Sequence, residues 1–508
     1  MCAIAGIVAL KDDYDISLDL HSMLESMKHR GPDGSGSFVN GQIVHDSLED
    51  LNVPKGYFGL GHNLLSIVGK EVSQPIEKHG FILVANAEVY NYRELKKCCP
   101  DEYKTDSDCE VIISVVKKFY NGSLSNAVKK AVHKLDGDYA FAICDGIELV
   151  VIRDALGVKP VYYGSDNDKT IFAFASEKKA LWNVGISNIH TLKPHHLLTY
   201  KMGKDQLIIK NIEEVKENIS DHLNGELNAA LNNQINSAGK SYYKSKLMNA
   251  LIDSVSKRVN ELSEVGIIFS GGVDSTILAK ISQDLGVKTK LYTVGTENSV
   301  DIKFARKTAK YLDLPIEVKI LTISDVTRYT ELVLNAIEEF NIMKIGVGIP
   351  SYAASEMAKD DNIKVMLSGQ GADELFGGYN RYSQFYKDKG ELAQEDLKND
   401  VSNLYHVNLQ RDDAVTMANS VELRVPYLDQ KLVEIALNIP MKYKIYNEDE
   451  NLRKCILREI ASDLEVPQDI VRRPKKAAQY GSGVHKILVK KVLKDEKYKT
   501  KLETLYKN

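Results

Sequence analysis

The chain has 508 residues, 44% of them hydrophobic and 27% charged, enough material for roughly two to three domains and too apolar for a disordered chain. A net charge of −4, with acids and bases interspersed, gives no basis for a nucleic-acid or polyanion partner. No apolar run approaches the ~20 residues that span a bilayer, and the start MCAIAGIVALKDD lacks the features of a signal peptide. A soluble, cytoplasmic protein with no membrane partner is therefore expected. The six cysteines, Cys2, Cys98, Cys99, Cys109, Cys144 and Cys455, include no C-x-x-C pair, which argues against zinc or iron–sulfur binding.

Cys2 follows the initiator methionine. Methionine is readily trimmed before a small residue, and trimming would leave the thiol beside a free α-amine that titrates at about 7.7–8.0. Nucleophile and base would then share one residue. A cysteine chosen at random is more often a small buried hydrophobe opening a strand. Ile4 to Leu10 reads as a buried strand, and Ile16, Leu20, Met23, Leu24 and Met27 recur at helical spacing up to the terminator Gly31-Pro32. Short apolar runs at 81–85, 139–143, 149–152 and 171–174, bounded by turn residues, predict stacked antiparallel sheets with helices outside.

Residues 201–245 are rich in Lys, Asn, Glu and Gln and read as a linker between a domain at 2–200 and another at 246–508. Beyond it strand and helix alternate: a strand at 265–269, a helix from Ser275 to Leu285, a strand at 291–294, a helix through Ala305 and Ala309, and a strand at 364–367. That alternation predicts a parallel sheet with helices on both faces. The last ~100 residues read as mostly helical, with Asp429 as a cap for the segment 432–437.

The sharpest local motif is Ser270-Gly271-Gly272-Val273-Asp274-Ser275, between a buried strand and a helix. The glycines let successive N–H groups point into one concavity at the positive end of the helix, and Asp274 can hold a divalent cation. The loop lacks the Walker A and dinucleotide patterns and suits a pyrophosphate. A second loop, Ser368-Gly369-Gln370-Gly371-Ala372-Asp373-Glu374, follows another strand and is expected to face the same crevice. Asp274 and Asp373 could then share a magnesium ion. The basic run Arg472-Arg473-Pro474-Lys475-Lys476 could bring a lysine over the phosphates.

Over almost its whole length the chain resembles the bacterial and archaeal glutamine-dependent asparagine synthetases. The first half carries Cys2, His29-Arg30-Gly31-Pro32-Asp33-Gly34, Leu65-Ser66-Ile67-Val68, Asn86-Ala87-Glu88 and Ser107-Asp108-Cys109-Glu110, as in class II glutamine amidotransferases. The second carries SGGVDS, GQGADELFGGY and Val425-Pro426-Tyr427-Leu428-Asp429, as in ATP-pyrophosphatase synthetase domains.

The resemblance implies an N-terminal-nucleophile antiparallel β-sandwich flanked by helices, joined to a nucleotide-binding α/β domain with a helical extension. It implies that Cys2 attacks glutamine, that Asn86 and the N–H of Ala87 hold the oxyanion, and that Arg30, Ser66, Ile67, Val68, Glu88 and Asp108 bind glutamine. It places ATP against Ile268, Ser270, Gly271, Gly272, Asp274, Ser275, Val294, Ser368, Gly369 and the catalytic Lys475. The implied partners are glutamine, a carboxylic acid (aspartate in the family), ATP and Mg2+, with a homodimer as a possible assembly.

Four positions depart from the family pattern. Leu64 stands where the family has an arginine for the glutamine carboxylate, a role Arg30 could take. Ala87 replaces a glycine, at a strain of about 1 kcal/mol or more where positive φ is required. Gln370 replaces a catalytic glutamate, which leaves Glu374 or solvent to take the proton from the attacking nitrogen. Lys344 stands near the family's aspartate-binding arginine, and a lysine offers a point charge and no bidentate fork. Three other readings follow: the same chemistry on a different acid, a nucleotide-binding regulator with a degenerate glutaminase half, and a tRNA-thiolating pyrophosphatase, which the lack of paired cysteines and of a basic surface disfavours.

Overall fold

The computed structural model describes residues 2–11, 13–67, 73–203, 206–212, 239–445, 452–474 and 481–506. The chain divides into two compact units, residues 1–215 with 417–420 in the first, and residues 216–416 with 421–507 in the second.

The first unit holds two antiparallel sheets. One contains β1 (Ala3–Ala9), β2 (Gly34–Val39), β3 (Gln42–Asp46) and β4 (Phe58–Leu64), together with strands from later in the chain. The other begins with β5 (Ile76–Lys78), β6 (Phe81–Val89), β7 (Gly137–Cys144) and β8 (Glu148–Arg153). β9 (Tyr162–Ser165), β10 (Ile171–Ala175) and β11 (Ile189–Thr191) complete the first sheet, and β12 (His196–Lys201) and β13 (Gln206–Asn211) the second. Their orders are β11-β9-β10-β1-β4-β2-β3 and β13-β12-β8-β7-β6-β5.

Period-two alternation explains the layers. Ile4 and Val8 of β1 point into a core shared with Ile82 and Val84 of β6 and Leu149 and Val151 of β8. Ala3, Ala5 and Ile7 point the other way, onto Leu20, Met23 and Leu24 of the helix Ser17–Ser26. On the far side of the second sheet, Leu83, Phe141 and Ile152 pack under the helices Glu110–Phe119 and Leu124–Val132. β1 is therefore covered on both faces, which is why its sequence is almost unbroken apolar. A Cβ on Gly6 would overlap the ring of Phe174, so glycine is what lets β1 lie against β10 there.

The second unit is built on a five-stranded, wholly parallel sheet: β14 (Glu264–Ile268), β15 (Lys288–Gly295), β16 (Ile316–Ile320), β17 (Val365–Leu367) and β18 (Glu422–Arg424), in the order β16-β15-β14-β17-β18. The chain moves outward from β14 to β16 and then returns to the opposite side of β14. Strand order reverses there, and ligands bind beyond the carboxyl ends of strands at such a point. Because Ile267 pairs with Leu367, the loops that leave β14 and β17 emerge side by side.

The two sheet classes and the strand positions agree with the sequence reading, with two differences. The strand expected at 81–85 runs on to Val89, where main-chain pairing with β7 overrides the polar Asn86 and Glu88. Within the expected linker, β13 pairs along β12 and the helix Lys240–Val259 begins, while residues 213–238 lie outside the described residues. Asp429 caps the helix Gln430–Leu437 as expected, its carboxylate accepting from the N–H groups of Lys431 and Leu432. Among the described residues no helix is long and apolar enough to cross a membrane.

Lys444 ends the short helix Met441–Lys444, beside an apolar cluster of Tyr382, Leu397, Met441 and Ile445. It is fully buried and donates to Gln394 Oε1 at 3.2 Å. Burial, opposed by Glu391 and reinforced by Lys398, pulls its ammonium down to about 7. Between about pH 7 and the unfolded value near 10.4, the unfolded chain holds a proton that the folded chain lacks, so stability rises with pH across that window. Lys444→Met is expected to raise the melting midpoint at pH 7 and to flatten its rise toward pH 9.5, followed by circular dichroism.

Candidate functional site

In the first unit the main chain of Cys2 is held at both ends. Asn86 Oδ1 accepts from the Cys2 nitrogen at 3.0 Å, and Arg30 Nε donates to the Cys2 carbonyl oxygen at 3.3 Å. Arg30 is fully buried and its Nη1 lies 3.0 Å from Glu177 Oε1. Against the cost of burial, His29, Lys179 and Arg30 hold the Glu177 carboxyl well below the usual range, so it stays an anion that fixes the guanidinium. The Oδ1 of Asn86 is engaged by Cys2, and its buried Nδ2 has no partner among the described residues. A buried donor left unmade is costly, and this one belongs to the side chain that holds the Cys2 nitrogen, free to donate to an oxygen that gains negative charge.

Ala87 lies inside β6 opposite Tyr139, in extended backbone, so it bears none of the strain that a positive φ would impose. Asp108 is anchored by Val89 N–H at 2.7 Å, and the Cys109 thiol reaches toward Ala87 O and Asp108. Burial, Asp108 and Cys2 push the Cys109 thiol well up, which leaves it protonated. β1 pairs with β4 at Ala3 and Asn63, so the chain at Ser66 and Ile67 continues past Cys2; Ser66 N–H donates to Asp33 at 2.8 Å. Val68 lies outside the described residues.

Arg30 requires a correction. It was expected to grip the glutamine carboxylate in place of an arginine at Leu64. Its complete burial and its bonds to Glu177 and the Cys2 carbonyl make it a positioning residue for Cys2.

The second unit holds a cavity of about 580 Å³ beyond β14, β15 and β17, within the range of small-molecule sites. Ile268, Ser270, Asp274 and Ser275 reach it from the first loop, Ser368, Gly369, Gln370 and Asp373 from the second, and Val294 from β15. Gly271 has φ of +66°, and a Cβ there would come within 2.7 Å of Ala305 N, so the loop requires glycine. Gly272 and Val273 border a smaller recess with Lys454, Arg458 and Arg473.

The two loops are tied by a residue that the sequence reading missed. Lys454 Nζ lies 2.6 Å from both Asp274 Oδ2 and Asp373 Oδ1, almost wholly shielded from solvent. Lys454 begins the helix Cys455–Asp463 with φ of +61°, at the end of a helix that disfavours a cation. That misplaced charge was the available signal. Arg473 donates to Ser270 O at 2.6 Å and pairs with Asp301, which puts one of the basic residues of the 472–476 run onto the first loop. Lys475 lies outside the described residues.

Two carboxylates of this kind suit magnesium, which takes one or two protein carboxylates and completes its shell with phosphate oxygens and water. No cluster of three or more His, Cys, Asp or Glu gathers among the described residues, so phosphates would have to complete the site.

Glu374 requires the second correction. It was expected to be available to the attacking nitrogen. Its carboxylate is buried, accepts from Tyr379 Oη at 2.7 Å and Asn408 Nδ2 at 3.2 Å, and is not on the cavity wall. Burial, then Asp373, push it up. Tyr379, Gln370 and Lys344 do line the cavity, with Lys344 Nζ bonded to Glu339 at 2.6 Å.

Together these features define a glutamine amidotransferase unit joined to a nucleotide-binding synthetase unit. Residues 1–243 match the glutamine amidotransferase domain family, and residues 246–399 and 386–505 match the family described as asparagine synthase. A Methanocaldococcus jannaschii protein that carries the provisional name asparagine synthetase 1, glutamine-hydrolysing, is 42% identical over 96% of this chain and 95% of its own. The glutamine-hydrolysing asparagine synthetase of Sandersonia aurantiaca is 28% identical over 95% of this chain and 87% of its own. Among solved structures, the glutamine phosphoribosylpyrophosphate amidotransferase of B. subtilis aligns with 58% of this chain and 67% of its own, at 19% identity and a TM-score of 0.37. The chain belongs to the asparagine synthase family, and is a glutamine-dependent, ATP-using amidotransferase of asparagine synthetase type.

Asn86→Ala removes the unpartnered donor, and is expected to lower kcat for glutamine hydrolysis by about 10²–10³ with little change in KM, read as glutamate release. A Cβ on Gly378 would overlap Asp373 Oδ1 and Lys454 Cε. Gly378→Ala is expected to lower stability by about 1–3 kcal/mol and to weaken ATP binding by about tenfold, read by thermal melting and calorimetric titration.

Proposed function

We propose that the chain forms an amide from a carboxylic acid, glutamine and ATP, with aspartate as the acceptor and asparagine, glutamate, AMP and diphosphate as products. The observation that carries this reading is the single cavity shared by the Ser270–Ser275 loop, the Ser368–Gln370 loop and Lys344. It has room for a nucleotide at the strand ends and for an acid beside it. The proposed domains are an amidotransferase at 2–200 and a synthetase at 246–508, working in the cytoplasm.

In the first domain Cys2, once methionine is removed, gives its thiol proton to its own α-amine and attacks the glutamine side-chain amide. Asn86 Nδ2 and the Ala87 N–H receive the oxyanion, ammonia departs, and water releases glutamate from the thioester. Asp108 holds the glutamine amine, with Ser66, Ile67, Val68 and Glu88 around it.

In the second domain the acceptor carboxylate attacks the α-phosphate of ATP and diphosphate leaves. Ammonia then attacks the acyl carbon and AMP departs. Ser270, Gly271, Gly272 and Ser275 cradle the phosphates at the helix N-terminus. Asp274 and Asp373 would hold magnesium, which supplies charge neutralisation at the phosphates, and Lys475 takes the role that the family resemblance gives it.

A second reading keeps the chemistry and changes the acid. It is favoured by Lys344, a point charge already neutralised by Glu339. With ATP, magnesium, glutamine and aspartate supplied, asparagine and AMP are expected in equal amounts by mass spectrometry. AMP that forms only with another acid would select the second reading. Cys2→Ala is expected to abolish glutamine hydrolysis and to leave synthesis from ammonium salts intact.

A further inference from the structure

One wall of the cavity carries its own cation. It is made where a π-helical turn, Tyr405–Leu409, hands over to the helix Gln410–Met417, and such turns recur at functional sites. Asn408, Arg411 and Asp412 of this wall line the cavity, as do Lys344 and Glu339. The stem of Arg411 runs beside Gly348, where a Cβ would lie 3.8 Å from its Cδ. Gly348 is one turn along the helix Ile342–Asp360 from Lys344. The two cations are thus brought to the same end of the cavity by one face of this helix.

The donors can be counted. Arg411 Nε donates to Asp412 Oδ1 at 2.8 Å, Nη2 lies 2.8 Å from the same oxygen, and Nη1 donates to Asn408 Oδ1 at 3.2 Å. A guanidinium has five N–H groups, so one on each terminal nitrogen remains, forming the end-on fork that matches a carboxylate. Lys344 spends one of three donors on Glu339. Both cations already have an anion, so this end of the cavity is close to neutral. A lone carboxylate would leave it negative, whereas an α-amino-acid head brings one charge of each sign.

We propose that Arg411 is the specificity residue of the acceptor site: its end-on fork, with Lys344 beside it, reads the α-carboxylate of an amino acid whose side-chain carboxylate is the one activated, while Glu339 receives the ammonium. This rests on the synthetase reading above and narrows its acceptor to an amino dicarboxylic acid. It also supplies the bidentate contact that Lys344 cannot make.

The test is calorimetric titration of the full chain, loaded with a non-hydrolysable ATP analogue, with aspartate, β-alanine (no α-carboxylate) and succinate (no amine). The wild type is expected to bind aspartate about tenfold or more tighter than either of the others. Arg411→Lys keeps the charge and loses the fork; it should bring the aspartate to β-alanine ratio close to one while the preference over succinate and the affinity for the analogue persist. The double variant R411M/D412N, which leaves no buried charge unpaired, should behave alike. An unchanged aspartate to β-alanine ratio in folded variants, or no preference in the wild type, would overturn the assignment. If aspartate binding depends on Arg411 but no acid-dependent ATP–pyrophosphate exchange occurs, the synthetase reading fails and the role of Arg411 stands.

Discussion

Two carboxylates, Asp274 and Asp373, stand at the ends of neighbouring parallel strands, and one buried ammonium, Lys454, lies between them. Like charges this close, partly removed from water, would otherwise drive their loops apart. The geometry of the second unit follows from that tie. It draws the glycine-rich loop and the Gln370 loop over a common crevice. It brings in the helix Cys455–Asp463, and it sets Gly378 where no side chain fits. A nucleotide with its cation would meet carboxylates already gathered, at no further ordering cost for the loops.

The first unit solves a different problem by similar means. Residues near a terminus fray unless they are tied down. Here the two backbone ends of Cys2 are bonded to Asn86 and Arg30, and Arg30 is immobilised by the buried anion Glu177. One asparagine thereby holds the nitrogen of Cys2 with Oδ1 and keeps Nδ2 unpartnered among the described residues. The thiol of Cys109 is held protonated by burial and by its neighbours Asp108 and Cys2.

The positions that differ from the family pattern fall into two kinds. Ala87 changes little, because strand pairing with Tyr139 keeps it extended. Gln370 removes a charge from the cavity wall without a replacement from Glu374, whose carboxylate is turned onto Tyr379 and Asn408. Lys344 and Arg411 both line the cavity, each balanced by its own acid.

By itself the sequence determined whatever depends on neighbours along the chain. Apolar runs and helical apolar spacing marked β1, β7, β8 and the helix Ser17–Ser26 that covers β1. The strand–loop–helix pattern around Ser270 and Ser368 placed both ligand loops at strand ends, and Asp429 was legible as a cap. The identities of Cys2, Asn86 and Asp108 singled them out as candidates for the first site. Only the tertiary structure decided which charges meet. Arg30 and Glu177, Lys454 with its two aspartates, and Arg411 with Asp412 and Asn408 are partnerships set by packing, and most of them span long stretches of chain. A buried charge takes its role from whatever neutralises it, and the order of residues along a chain does not say which partner burial will supply.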